Sequence, residues 1–488
     1  MAAPPVPPVP PGPSGPPPTT APAAVPARPA QGAVPAPRSG GARPNGAEDT
    51  TPLGQARAIL RSPFRGEPGR LRAGGLLIVV LAVLFGALTA WQITSRADAA
   101  QRVTDHSAPL ASQAASVYWS LADADATAAA GFLIAGQEPA KVTARYQQDI
   151  ANASKGLAAA SAAAGSNSDA LTYITTLNRE LPVYTGLVET ARANNRQGYP
   201  VGGAYLRYAS DRMSSTMLPA AEKLYQTETR RLSDDRAAAS ATPWAAYAAG
   251  LIALGGVVWA SRRLFLRTNR VFNTGLLASG AALLVALAWL AGASTLSTAK
   301  MHNSATHGSD AVQTLNQARI AGLQARGNED LTLVARGNGD TYITKFDKWA
   351  AQLTGSAGKP GLLDRARGQS DAGAADSSID GAKTELKNWM ALHKQARGFD
   401  DGGNYQQALD TTVGRNGNAV KDKTTEGSFD AMDKQLGAAL QHEQALFYDA
   451  ARGGSDALAG LAIGGAVLCL LGAAAAVGGL GRRLAEYR

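Results

Sequence analysis

Four stretches of this chain contain no Asp, Glu, Lys or Arg: Ala73 to Ser95, Ala237 to Ser261, Val271 to Ala299 and Ala457 to Gly481. Each is rich in Leu, Val, Ala and Gly and exceeds the roughly 20 residues that a helix needs to cross a hydrocarbon core. Core helices of soluble proteins rarely run so far without a charge, so the four windows read as transmembrane helices. Everything else must then be divided between the two sides of a bilayer.

The arginines outside the windows give the orientation. Residues 1–72 hold eight Arg against Glu48, Asp49 and Glu67; the link 262–271 holds Arg262, Arg263, Arg267 and Arg270; the tail 481–488 holds Arg482, Arg483 and Arg488 against Glu486. These segments carry +5, +4 and +2, while the whole chain carries +9, so the remainder is slightly acidic. Both termini and the link are therefore expected in the cytoplasm of a multi-pass plasma-membrane protein, and 97–242 and 297–456 outside. The basic balance follows from topology and contact with anionic membrane lipids, with no call for a nucleic-acid partner. Trp91, Trp244, Trp259 and Trp289 lie near window ends, where amphipathic rings favour the interface. The single cysteine, Cys469, lies in the last window, so no intrachain disulfide can form. No cleavable signal peptide is visible, because the first apolar window follows a long proline-rich tract.

That tract holds 19 of the 26 prolines within residues 1–72. Proline removes backbone donors, and the composition leaves too little apolar surface to offset ordering entropy, so a disordered tail with polyproline II character is expected. It serves either as a spacer or as a docking strand for a cytoplasmic partner.

Both large segments show helical periodicity. Leu110, Val117 and Ala124 recur beside Ala114, Leu121 and Ala128; then come Val142, Tyr146, Ile150, Ala153 and Leu157, and after them Leu171, Ile174, Leu181, Tyr184 and Val188. A fourth stripe, Met217, Ala221, Leu224, Glu228 and Leu232, is expected to run straight into the second window. "GQEP" at 136–139 and "AGSNSD" at 164–169 supply turns, and Pro182 and Pro219 predict a kink or restart. The second segment repeats the first. "ETARANNRQGYP" at 189–200 echoes "KQARGFDDGGNY" at 394–405, with Ala191-Arg192 and Gly198 matching Ala396-Arg397 and Gly403 at an offset of 205. Ala135-Gly136 matches Arg336-Gly337 at 201, and the second and fourth windows start about 214 to 220 apart. An offset that grows only through insertions marks a tandem duplication, with the insertion placed in a loop at 358–378.

The expected fold is thus an all-α membrane protein with two tandemly duplicated extracytoplasmic helical bundles. Its order is a tail 1–72, membrane helix 73–95, bundle 97–242, membrane helix 243–261, link 262–271, membrane helix 272–296, bundle 297–456, membrane helix 457–480 and tail 481–488.

Catalytic chemistry has no recognisable carrier here. There is no Walker loop, no Gly-x-Gly-x-x-Gly after a strand, no Gly-x-Ser-x-Gly and no Cys-x-x-Cys. His302 and His307 are five apart and diverge on a helix; Asp123 and Asp125 also face different ways and read as surface residues. No catalytic residue, cofactor or metal ligand is assigned. The windows hold no mid-membrane ionisable residue of the kind carriers use; they offer small-residue faces instead, Ala82-Gly86-Ala90 and Gly460-x-x-x-Gly464, suited to close helix packing. Arg192 and Arg397 are the candidates for holding a carboxylate ligand or an acidic partner, the alternative being that each solvates a helix end that the following glycine terminates.

External helical bundles continuous with membrane helices resemble the sensor regions of bacterial chemoreceptors and histidine kinases, but the cytoplasmic parts here are too short to hold a catalytic domain. In its proline-rich start, four membrane helices and two helical external regions, the chain resembles the GlnX-type membrane proteins of actinobacteria. That resemblance implies a non-enzymatic relay between an external amino-acid-binding lipoprotein and a cytoplasmic serine/threonine kinase. A direct small-molecule receptor and an envelope scaffold are the competing readings, and self-association as a homo-oligomer is left open.

Overall fold

The computed structural model describes residues 67–134, 138–164, 169–268, 273–303, 308–356, 358–370, 373–415, 418–456, 458 and 460–485. The tail up to residue 66 and parts of the expected turns at 136–139 and 164–169 lie outside them. Within them the protein is helical almost throughout.

Helix α1, Glu67–Arg102, holds the first apolar window and begins six residues inside the segment expected to be a tail. A π-helical turn, Val103–Ser107, joins it to α2, Ala108–Leu133, without a break in helicity. The same device recurs at Met213–Met217, between α5 (Val201–Arg212) and α6 (Leu218–Ser240). Each π turn precedes a proline, Pro109 or Pro219. A proline ring clashes with the carbonyl four residues back and offers no N–H, and one extra residue per turn relieves both faults. Pro182, by contrast, sits inside an uninterrupted α4, Asp169–Arg196. Helix α3 is Ala140–Ala163. The expected direct run from α6 into the second window is corrected: residues 241–243 are not helical, and α7 starts afresh at Trp244 and ends at Thr268. Pro243 at the break lacks the N–H that would continue the ladder.

The second half repeats this order. Helix α8, Thr274–Asn303, leads to α9 (Asp310–Val334) and α10 (Asp340–Thr354). After α12 (Ala374–Asp401) come α13 (Tyr405–Thr412), α14 (Thr425–Asp456) and α15 (Leu461–Ala485). The offset between copies is 201 at the ends of α2 and α9 and 217 at the starts of α7 and α15. Part of the growth is an insertion that is structured rather than a simple loop. Strands β1 (Gly355–Ser356) and β2 (Lys359–Pro360) form a small antiparallel hairpin, followed by α11, Leu362–Gln369.

Glycine ends the repeated motif identically in both copies. Gly198 and Gly403 have φ of +73° and +79°. The amide of Tyr199 donates to the Asn194 carbonyl at 2.9 Å and that of Asn404 to the Phe399 carbonyl at 2.8 Å, the six-to-one bond of a Schellman stop.

The two copies do not form separate bundles. Helices α2 and α9 lie side by side, and each is buried nearly all round, over 19 of 26 and 19 of 25 residues. The alanines of α2 and Gly327 of α9 make the approach possible: a Cβ on Gly327 would stand 3.6 Å from Cα of Ala126. Helices α3, α4 and α6 pack round α2, and α10, α11 and α14 round α9, with α12 against α14, so one continuous apolar core spans both copies.

Among the described residues four helices, α1, α7, α8 and α15, are long and apolar enough to cross a membrane. Each touches two of the others, α15 lying between α1 and α8, and α7 completing the set. Their inner sides carry Ala82, Phe85, Ala249, Ala253, Leu283, Ala286, Cys469 and Ala473, while Leu76, Val80, Leu251, Ile252, Leu284, Val285, Ile463 and Leu470 point outward. Large apolar residues outside and alanines among the larger residues inside suit a lipid solvent, where close backbone approach supplies the packing. The Ala82-Gly86-Ala90 face packs as expected: a Cβ on Gly86 would come within 2.9 Å of Cβ of Cys469. Gly460-x-x-x-Gly464 is corrected, because Gly460 lies in the turn before α15 at φ +75°; Gly464 alone makes room, for the Trp289 ring.

Candidate functional site

Seven charged side chains meet where the copies join. Three pairs are spaced i, i+4 on one helix face each: Arg145 and Asp149 on α3, Arg326 and Asp330 on α9, Glu426 and Asp430 on α14. Asp123 of α2 is the seventh. Arg145 grips Asp123 with two parallel bonds, Nε to Oδ2 at 2.9 Å and Nη2 to Oδ1 at 2.8 Å, and reaches across the seam from Nη1 to Asp430 Oδ1 at 2.9 Å. Arg326 donates from Nη2 to Glu426 Oε1 at 2.7 Å. Its Nη1 stands 3.7 Å from Asp123 and 3.8 Å from Asp430, and its guanidinium lies 5.1 Å from the Phe429 ring centre.

Arg326 is only 1% exposed and Asp123 wholly buried, so the surface role expected for Asp123 is corrected. A buried charge is tolerated only with a partner, and the direction of each pKa shift follows from how the partners are shared. Burial works against the Arg326 cation, yet Glu426 and Asp430 raise its pKa overall. Burial also opposes the Asp430 carboxylate, but Arg326 and Arg145 hold its pKa below the ordinary value. Burial dominates at Glu426 and Asp330, both raised despite Arg326. Asp149 is pushed up to about 8, first by desolvation and next by the Asp123 carboxylate beside it. Oδ2 of Asp149, Oδ2 of Asp330 and both Nε and Nη1 of Arg326 find no hydrogen-bond partner among the described residues, so the network is not saturated.

Each copy also holds one carboxylate on aromatic donors. Asp125 Oδ1 accepts from Tyr184 Oη at 3.2 Å and Ser210 Oγ at 2.9 Å, and desolvation lifts its pKa to about 6. Glu329 accepts from Trp389 Nε1 at 3.0 Å and is 2.7 Å from His393 Nδ1, whose ring stacks on Phe346 at 3.7 Å. Tyr184 and Trp389 are equivalent at the offset of 205, so the duplication kept the donor position and changed the ring.

One cation ties the helical head to the apolar helices. Arg96, at the head-facing end of the apolar part of α1, donates from Nε to the Ala239 carbonyl in the last turn of α6 at 3.0 Å. It also reaches Ser294 Oγ at 3.1 Å and Thr298 Oγ1 at 3.5 Å on α8. It sits at the C-terminal, electronegative end of α6, where a cation is favoured.

The two arginines singled out in the sequence are held separately, each within its own copy. Arg192 pairs with Glu138 at 3.0 Å and Glu189 at 2.9 Å and lies 4.1 Å from the centre of the Tyr146 ring; it lines an open recess of about 740 Å³ with Phe132, Glu138 and Asn195. Arg397 is engaged by Asp400 at 2.7 Å and Asp401 at 2.5 Å. Sequence reasoning missed the seam because i, i+4 pairs of opposite charge such as Arg145–Asp149 and Arg326–Asp330 ordinarily mark a solvated helix face. The signal that was available is the position of Asp123 on the same helix as the most apolar stripe.

Residues 99–237, from the end of α1 to the last turns of α6, match the family model described as Actinobacterial sensor domain. No curated protein and no solved structure matches the chain. The matched stretch is the head part of the first copy of the duplicated unit, and it includes Asp123, Arg145 and Asp149, three of the seven charged residues of the seam.

Proposed function

We propose that the protein is a non-enzymatic transmembrane signal relay, with the helical head outside the membrane and both termini in the cytoplasm. The observation that carries the reading is the unbroken helical path from Glu67 to Leu133: the sensor-matched α2 is the direct continuation of apolar helix α1. A shift of α2 against α9 at the charged seam therefore displaces α1 along or about its axis, and Arg96 passes the same displacement to α6 and α8. Two copies meeting through a network of buried charges have the bistable character that switching needs.

The external input, in this reading, is an amino-acid-binding lipoprotein, and the cytoplasmic output a serine/threonine kinase, as the GlnX-type layout implies. Among the described residues outside the four apolar helices, the exposed large apolar side chains are Val183, Tyr199, Val201, Tyr205 and Tyr208 of the first copy and Val420 of the second. The tyrosines cluster at α5, near the head's far end. Tyrosine offers contact area at low entropic cost, which supports docking of a protein there. Photo-crosslinking from Tyr205 and Tyr208 positions in native membranes, followed by identification of the captured chains, tests the relay. Capture of a solute-binding lipoprotein is expected; an unlabelled head in membranes that contain such lipoproteins would refute it.

A further inference from the structure

Helices α2, α6, α9 and α14 enclose a small cavity of about 50 Å³ near the four apolar helices, lined largely by apolar groups including Ala108, Ala111, Leu232, Val312 and Phe447. Next to it lies an open crevice of about 790 Å³ between Tyr118 and Glu222 of the first copy and Lys348, Trp349, Lys359 and Arg365 of the second. Tyr225 and Gln313 line both, so cavity and crevice adjoin. On α2 the step from Ser112 in the cavity to Tyr118 in the crevice is about 9 Å at 1.5 Å per residue.

The two ends differ in chemistry. The inner end is apolar. The outer end carries three cations against one carboxylate, Glu222, which accepts from Gln226 Nε2 at 3.0 Å. Lys348 lies 5.5 Å from the centre of the Trp349 ring, and none of Lys348, Lys359 and Arg365 has an ion-pair partner among the described residues. Nearby Arg319 and Arg326, on α9, are both paired. The insertion that only the second copy has supplies two of these cations, Lys359 from β2 and Arg365 from α11. The hairpin is held tightly: Gly355 sits at φ +86°, and a side chain at Gly361 would strike the Leu353 carbonyl. A wall bearing cations without ion-pair partners among the described residues has thus been added beside an apolar cavity.

We propose that the cavity and crevice together bind an amphipathic organic anion, a carboxylate with a short aliphatic or aromatic end, its apolar end seated by Leu232, Val312 and Phe447 and its carboxylate at Lys348, Lys359 and Arg365. The inference rests on the sensory reading and gives it a directly bound ligand besides any protein partner. Such an anion touches α2 and α6 of one copy and α9, α10, α11 and α14 of the other, so its binding sets the spacing of α2, α9 and α14, three of the four helices that form the charged seam.

The test uses the full chain in phosphatidylcholine nanodiscs, titrated with straight-chain carboxylates from acetate to decanoate and with the matching alcohols. Affinity for the acids rises about fourfold per methylene over the first few carbons and then levels off, because the cavity is small. The K359Q/R365Q variant, altered only at exposed positions, weakens acid binding about tenfold, roughly one ion pair of moderate strength, and leaves the alcohols unchanged. Leu232→Trp abolishes the dependence on chain length. A thermal shift seen only when phosphatidylglycerol is in the disc, with no carboxylate bound, overturns the proposal, because a phosphodiester lipid headgroup then occupies the cations. The proposal is overturned if alcohols bind as well as acids, if affinity climbs to decanoate irrespective of K359Q/R365Q, as partition into bilayer would give, or if nothing binds. Failure here with lipoprotein crosslinking intact leaves the relay standing, and the reverse result separates the two equally well.

Discussion

Replacing Arg326 with Met removes the central cation of the seam while keeping a long side chain in its place. Arg326 is the guanidinium hydrogen-bonded to Glu426, and it also stands within 4 Å of Asp123 and Asp430, which keep Arg145. At an effective dielectric constant near 20, each of the contacts at 2.7, 3.7 and 3.8 Å is about 4 to 6 kcal/mol of attraction before desolvation is counted. Desolvation of the guanidinium offsets much of that, and breaking a buried pair on one side costs about 3 to 5 kcal/mol net. Spread over roughly 300 residues of helical head at about 2.1 cal/mol/K each, this lowers Tm by about 5 to 8 °C. The assay is thermal unfolding of the purified protein in nanodiscs, followed by tryptophan fluorescence at pH 7.5 and pH 5. The loss should shrink at pH 5, because Glu426, already raised by burial, protonates more readily once the cation is gone. Adding Glu426→Gln should recover about 1 to 3 kcal/mol, the coupling expected of residues in one network. An Arg326→Met protein as stable as the parent at pH 7.5 would refute the reasoning, since it would mean that desolvation already cancels the pairing.

Asp149 gives a pH signature with a defined sign. Its pKa in the fold, about 8, lies above the ordinary 3.8, so its contribution to stability is complete below about pH 4 and is lost as pH rises through 8; Asp149→Asn should therefore gain on the parent from pH 5 to pH 9, and parallel Tm curves would contradict this. Tyr205→Ser with Tyr208→Ser should cut lipoprotein crosslinking severalfold while shifting Tm by about 1 °C or less, because both rings are exposed. Gly403→Ala should cost about 1 kcal/mol, read as increased hydrogen exchange at the end of α12, since φ is +79° there. Cysteine labelling in whole cells, in a Cys469→Ala background, should reach Asp169→Cys from outside and Thr268→Cys only after permeabilisation; the opposite pattern would overturn the orientation drawn from the arginines.

The sequence by itself determined the local and the solvent-driven parts of this protein. Four windows without charge dictate helices that can cross a membrane, because desolvation of a charge or a free peptide group outweighs any packing preference there. The stripes through Leu121, Tyr146 and Tyr184 dictate amphipathic helices, and the matched glycines Gly198 and Gly403 dictate the stops, since a left-handed residue is a local steric requirement. The duplication was legible for the same reason: repeated local rules leave a repeated spacing. Two things were decided only by tertiary structure. The copies share one core because the alanine face of α2 admits Gly327 of α9, a match between surfaces that neither helix encodes alone. The charged seam depends on Arg145 meeting Asp430 across 285 residues, and no periodicity distinguishes an i, i+4 charge pair bound for water from one bound for another helix. Burial assigns such residues their role, and burial belongs to the assembled fold.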